Sequence, residues 1–124
     1  MKHVTRNIDL DCVRDLLEQV PRACLSFASD HGPQVHPVRL LWQEDRYLVN
    51  MPRDEYQPVS DQEAVLLVDE GIYYFDLRAI YIRGRVRPVE APSGTLADRT
   101  WFEIIPLKIV AWDYGMLREV ENGS

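Results

Sequence analysis

Three arginines, Arg83, Arg85 and Arg87, recur at every second position of LRAIYIRGRVRPV (Leu77 to Val89). A strand would set them in a row on one face. Guanidinium groups so placed repel one another unless something anionic faces them. Three chemistries fit such a row. Carboxylates of the same chain would make plain structural ion pairs. A phosphate or another small anion could be gripped by a guanidinium fork. A single-stranded nucleic acid could track the row, with Tyr81 stacking on a base. The formal net charge of −6 argues against the last. Alternation alone does not choose between the other two.

Other reactive side chains are sparse. Cys12 and Cys24 stand in no CxxC pair and beside no histidine, and read as reduced thiols of a cytoplasmic protein. His31 and His36 lack a third ligand at metal-binding spacing, so no metal site is expected. Asp54, Glu55, Asp61 and Glu63 fall in a polar segment, which reads as a solvated surface rather than an acid–base pair. There is no phosphate-binding P-loop, no GxGxxG opening a helix, no HExxH, no nucleophile elbow and no EF-hand loop. No catalytic side chain can be named.

The elements that must position these residues follow from patterning. The chain has 124 residues, 46% apolar and 27% charged, as expected for one globular domain spanning 1–124. No apolar run approaches the ~20 residues of a membrane span, and the N-terminus shows no signal-peptide pattern. A helix is expected at about 8–20, capped by Asn7 or Asp9, with Leu10, Val13, Leu16, Leu17 and Val20 on one stripe and Pro21 as its stop. Then come Arg22 to Ser29, Gln34 to Trp42 and Arg46 to Met51, three strands joined by short turns as a meander. Pro37 removes a ladder donor from the second, which should be edge-like or bulged there. Pro52 to Glu63 reads as a loop with at most one helical turn, and Ala64 to Glu70 as a buried strand.

In the strand of the three arginines, Ile80, Ile82 and Val86 form the opposite, apolar face. Gly84 lies between them and suggests a bulge, a bend or a close backbone approach. Glu90 to Thr100 reads as a linker. Trp101 to Gly115 reads as a last long strand kinked at Pro106, and the tail after Leu117 as frayed. Six strands with hairpin-type connections favour a small antiparallel barrel, because closure hides sheet edges.

The order of these segments resembles a known family. ACLSFASDHGPQVHPVRLLWQEDRYLVNM, AVLLVDEG, DLRAIYIRGRVRPV and PLKIVAWDYG are similar, in that order, to the strands of pyridoxamine 5′-phosphate oxidase-like flavin-binding split barrels. The similarity runs from about Arg22 to Gly115. It implies a mainly β fold, a six-stranded antiparallel split β-barrel with one or two helices, assembled as a homodimer. It further implies flavin mononucleotide (FMN), or a deazaflavin, in a groove between subunits. Carried onto this chain, the ring would lie along Val38, Arg39, Leu40, Asn50 and Met51. The phosphate would meet Arg53, with Gln57 or Ser60, and Trp112 would come from the partner.

The chain departs from the family where the phosphate docks. Lysine and arginine are usual there; this chain has DEYQPVSDQE after Arg53, with Pro58 set against a helix. A phosphate beside those carboxylates meets a repulsion of ~1 kcal/mol per close exposed pair. Two functions therefore stay open. One is a flavin- or deazaflavin-dependent oxidoreductase passing hydride to a small substrate. The other is a non-catalytic dimer of the same fold, without the cofactor or with another small ligand. Neither nucleic acid nor membrane is expected as a partner.

Overall fold

A computed structural model describes residues 10–20, 22–71, 77–92 and 98–113. Seven strands, β1 (Arg22–Ser29), β2 (Gly32–Pro37), β3 (Arg39–Gln43), β4 (Arg46–Pro52), β5 (Glu63–Glu70), β6 (Arg78–Pro88) and β7 (Arg99–Asp113), pair in the order β2-β1-β5-β6-β7-β4-β3. Every pairing is antiparallel. The two outermost strands are consecutive in the chain and separated by Val38 alone. A sheet whose opposite edges share one connecting residue must curl far enough to bring the end of β2 to the start of β3, although no ladder joins those two strands.

Proline chemistry explains why seven strands appear where the pattern suggests six. Pro37 lies opposite Cys24 and has no N–H to give to a ladder. Past it, Val38 turns inward (8% exposed) and its N–H reaches back to the Ala23 carbonyl at 3.1 Å. The chain then leaves β1 and pairs with β4 as β3. The single strand expected over Gln34 to Trp42 is thus two, and each forms an edge of the sheet.

The hairpin between β3 and β4 turns on Glu44 and Asp45, with φ of 54° and 60°. Positive φ at both central positions gives the twist that flanking strands require. Pro52 to Glu63 contains no helix, as expected, and its end is fastened to β6: Asp61 N–H donates to the Val86 carbonyl at 2.7 Å, and Val86 N–H to that of Gln62 at 2.9 Å.

β6 is central. Ile80, Ile82 and Val86 are 0–1% exposed and point into the barrel. The β6–β7 register shifts between Arg83 and Gly84, where Gly84 faces Pro106. A Cβ on Gly84 would sit 2.3 Å from the Ile105 carbonyl oxygen. The glycine serves a close backbone approach at a bulge, and Pro106 marks the same point on β7.

The N-terminal segment is a 3-10 turn (Leu10–Val13) running into a short helix, α1 (Arg14–Gln19), rather than one α-helix. Val20 closes it in a left-handed conformation (φ 44°), its N–H bonded to the Leu16 carbonyl. The expected caps Asn7 and Asp9, the stop Pro21 and the tail after Leu117 lie outside the described residues. The apolar stripe packs as its spacing implies: Val13, Leu16 and Leu17 are buried in the barrel core. Arg78 ties α1 to the sheet, donating to Asp15 at 2.7 and 3.1 Å and also to Glu70. The hydrogen bonds from Arg78 hold Asp15 below the usual carboxylate range, and Asp15 raises Arg78 further.

Glu103 on β7 is the buried carboxylate among the described residues, 6% exposed. It accepts from Arg46 at 2.8 and 3.2 Å and from Arg87 at 3.2 Å. Bonds from Arg46 first, then Arg87, outweigh burial and hold its carboxyl below its ordinary 4.5. A folded value below the unfolded one stabilises the protein above the unfolded value. That contribution is lost as pH falls through the lowered one. Glu103→Gln should cost about 1–2 kcal/mol at pH 7, since both arginines are partly exposed. It should also flatten the acid limb of the stability curve below pH 4.5; urea unfolding from pH 7 to 3 checks both.

Candidate functional site

The ladders bring three residues from distant parts of the chain side by side. Arg39 on β3 stands opposite Asn50 on β4, and Asn50 stands opposite Trp101 on β7. The inward positions of β4 are Tyr47, Val49 and Met51, all in the core, so Asn50 faces outward. It is nevertheless 5% exposed. Arg99 lies across it: its Nε donates to Asn50 Oδ1, and Nη2 donates to the Asn50 carbonyl at 3.3 Å. Arg53 follows the end of β4. With Arg99, Thr100, Trp101, Val89 and Glu90 it lines an open depression of about 580 Å³.

Charge distinguishes this corner. Arg83 lies 3.6 Å from Glu63, Arg85 3.9 Å from Asp61 and Arg87 3.2 Å from Glu103. The arginine row is therefore paired within the chain. Arg22 pairs with Asp69, Arg46 with Glu103 and Arg78 with Asp15 and Glu70. Among the described residues, Arg39, Arg53 and Arg99 are the arginines with no carboxylate within ion-pairing distance. All three stand along the β3–β4–β7 ladder. The acidic segment is largely occupied elsewhere: Glu63 and Asp61 face β6, and Glu55 lies 3.6 Å from His36.

Where β2 passes into β3, a groove of about 770 Å³ opens, lined by Ala23, Cys24, Val38, Leu40 and Leu67, with Arg39 at its rim. Burial, and then the Asp69 charge, push the Cys24 thiol up, which disfavours its thiolate form. No group of three metal-ligating side chains occurs among the described residues.

The residues anticipated from sequence divide accordingly. Val38, Arg39 and Leu40 line the groove. Asn50 and Arg53 belong to the cationic corner, although the Asn50 side chain is engaged by Arg99. Met51 is fully buried in the core, leaving only its backbone for a ligand. Gln57 donates to the carbonyls of Pro52 and Glu55 at 2.9 and 3.0 Å, and lines a different depression with Ser29, His31 and Tyr56. Ser60 is exposed on the same loop. Trp112 lies opposite Ala79 at the far end of β7, roughly 35 Å along the strand from Trp101.

Arg99, Thr100 and Trp101 were not anticipated as site residues. Arg99 and Thr100 fall in a stretch that reads as linker but opens β7. The parity of Arg99, Trp101 and Glu103 was the available signal, since alternate residues share a face.

No family model and no curated protein matches the sequence. Solved structures do match its fold. An FAD binding protein from Mycobacterium smegmatis is 15% identical, with a TM-score of 0.68 over 85% of this chain and 95% of that one. A candidate pyridoxamine 5′-phosphate oxidase from Corynebacterium glutamicum is 10% identical, with a TM-score of 0.63 over 90% and 94%. The haem storage protein HutZ from Vibrio cholerae is 12% identical, with a TM-score of 0.63 over 85% and 96%. At such identities the likeness concerns backbone architecture and leaves the ligand to be argued from this chain's residues. No helix among the described residues is long and apolar enough to cross a membrane. The fold of this chain is the pyridoxamine 5′-phosphate oxidase-like split barrel.

Proposed function

We propose that the chain binds FMN or a deazaflavin and serves as an oxidoreductase on a small substrate. The observation that carries this reading is the cationic corner: three arginines without carboxylate partners beside an apolar groove. The groove along Val38 and Leu40 suits a flat ring, and Arg53 suits its phosphate, with Arg39 between them. The cofactor, when bound, supplies hydride transfer. The protein's share is to hold the ring against the β3 backbone, fix the anionic end and exclude water. The fold supports the reading, since a protein named for FAD binding shares it.

We also propose that the working form is a homodimer. Val35, Leu41, Leu107 and Ile109 are apolar yet 65, 38, 52 and 37% exposed, and a second copy would bury them. Trp112 would then reach a groove only from the partner. Sedimentation equilibrium at micromolar concentration tests this; a monomer throughout rejects it.

A second reading keeps the fold and the dimer but replaces the flavin with another small anion. Asp54 and Glu55 directly after Arg53 favour it, because they oppose a dianionic phosphate. Titration of the purified protein with FMN and with a deazaflavin, followed by absorption, separates the two. Arg53→Glu, which adds a repulsive charge as well as removing a contact, should weaken cofactor binding by about 100-fold with an unchanged thermal midpoint. Equal affinity in the variant would remove Arg53 from the site.

A further inference from the structure

We propose that Arg99, held by Asn50, is the principal anion-binding residue of this site, and that Asn50 is its positioning residue. The inference rests on the flavin reading for the ligand's identity, and on this chain's own geometry for the anion.

The argument turns on what holds each arginine. Wherever else a described arginine is fixed by a side-chain hydrogen bond to an acceptor side chain, that acceptor is a carboxylate: Asp11 for Arg14, Asp69 for Arg22, Glu103 for Arg46 and Arg87, Asp15 and Glu70 for Arg78. A carboxylate orients a guanidinium and cancels its charge together. Arg99 alone among them is oriented by a neutral amide. Asn50 therefore fixes the plane of the fork while leaving its charge for something else. Burying an amide on an otherwise apolar strand carries a desolvation cost that the Arg99 bond offsets.

Two of the five guanidinium donors are used on Asn50, so three remain. They belong to a half-buried side chain on the wall of a depression. Glu90 shares that wall, and neither it nor the neighbouring Asp98 is ion-paired with Arg99. Trp101 also lines the depression, is 7% exposed, and its Nε1 is buried without a hydrogen-bond partner. An oxyanion with several acceptor oxygens on one atom, a phosphate monoester above all, would satisfy the free Arg99 donors together. Arg53, exposed on the loop and anchored by no described hydrogen bond, is the weaker contact because it must be ordered on binding.

Calorimetric titration with FMN and with riboflavin, which lacks the phosphate, tests this on the full chain. Arg99→Gln should weaken FMN by roughly 30-fold or more, the loss of charge-assisted bonds, and leave riboflavin within about twofold. Arg99→Lys should fall between, keeping charge without the fork. Asn50→Asp is the decisive variant. It keeps shape and should hold the fold, yet neutralise Arg99, so FMN should weaken as in Arg99→Gln with no drop in thermal midpoint. A structural role alone would leave FMN affinity in Asn50→Asp unchanged, and that result overturns the assignment. If the wild type takes up neither FMN, riboflavin nor a deazaflavin, the flavin reading fails by itself. Inorganic pyrophosphate at millimolar concentration then decides Arg99. A raised thermal midpoint in wild type but not in Asn50→Asp supports the assignment; no rise in wild type overturns it.

Discussion

Gly84→Ala should destabilise the protein by about 3 kcal/mol or more, lowering its thermal midpoint by roughly 10 °C. The added Cβ would lie 2.3 Å from the Ile105 carbonyl oxygen and 2.9 Å from both the Ile105 carbonyl carbon and Ile104 Cγ2. Two of those three atoms are backbone, so relief requires β7 to move, and β7 is laddered on both sides by β6 and β4. Gly32→Ala is the useful contrast. Nothing stands within 4 Å of its Cβ, and the penalty comes only from its φ of +100°. Strain of that kind costs about 1–3 kcal/mol and is local. Calorimetric midpoints for the two variants should therefore rank Gly84 as the more costly position. Equal midpoints would mean that the β6–β7 crossing is looser than its geometry implies.

Leu16→Ala should cost about 3 kcal/mol, within the 2–5 kcal/mol typical of emptied core sites. Leu16 is fully buried on a helix of six residues, too short to persist in water without packing. Its side chain joins Val13 and Leu17 in the barrel core, while Arg78 pins Asp15 beside it. Truncation removes the apolar half of that attachment. Urea unfolding should show a lower midpoint at nearly unchanged slope, whereas a reduced slope would mean that the helix detaches before the barrel unfolds.

Most of the fold is legible from the sequence, and the reasons are local. β1, β4 and β5 fall where alternation or continuous apolar character puts them, because side-chain parity is set by backbone geometry. Pro37 announces its break because a missing donor is a chemical fact. What it cannot announce is that the two halves of that strand become opposite sheet edges, since pairing partners are non-local. The same limit governs charge. The arginines of β6 stand out in sequence, yet Glu63, Asp61 and Glu103, brought across two ladders, pair with them. Arg99 is inconspicuous in sequence, because its significance lies in its diagonal hydrogen bond to Asn50, an amide, instead of to an acid. A helix over about 8–20 is right in its stripe and wrong in its regularity: the first turn is 3-10, with no side-chain cap at Val13.

The single-residue join at Val38 has a consequence for how the molecule folds. The hairpins β1–β2 and β3–β4 can each form from neighbouring residues, and neither closes anything. Closure waits on Leu25 meeting Leu66 and on Asn50 meeting Trp101, partners more than 40 positions apart in the chain. Such distant encounters carry the entropy of long loops before any burial rewards them, which slows folding into the millisecond-to-second range of β-rich domains. The cationic corner, built on the second of these encounters, does not exist in either hairpin alone. It comes into being only once β4 has paired with β7, so a chain arrested before that pairing has its hairpins without the corner.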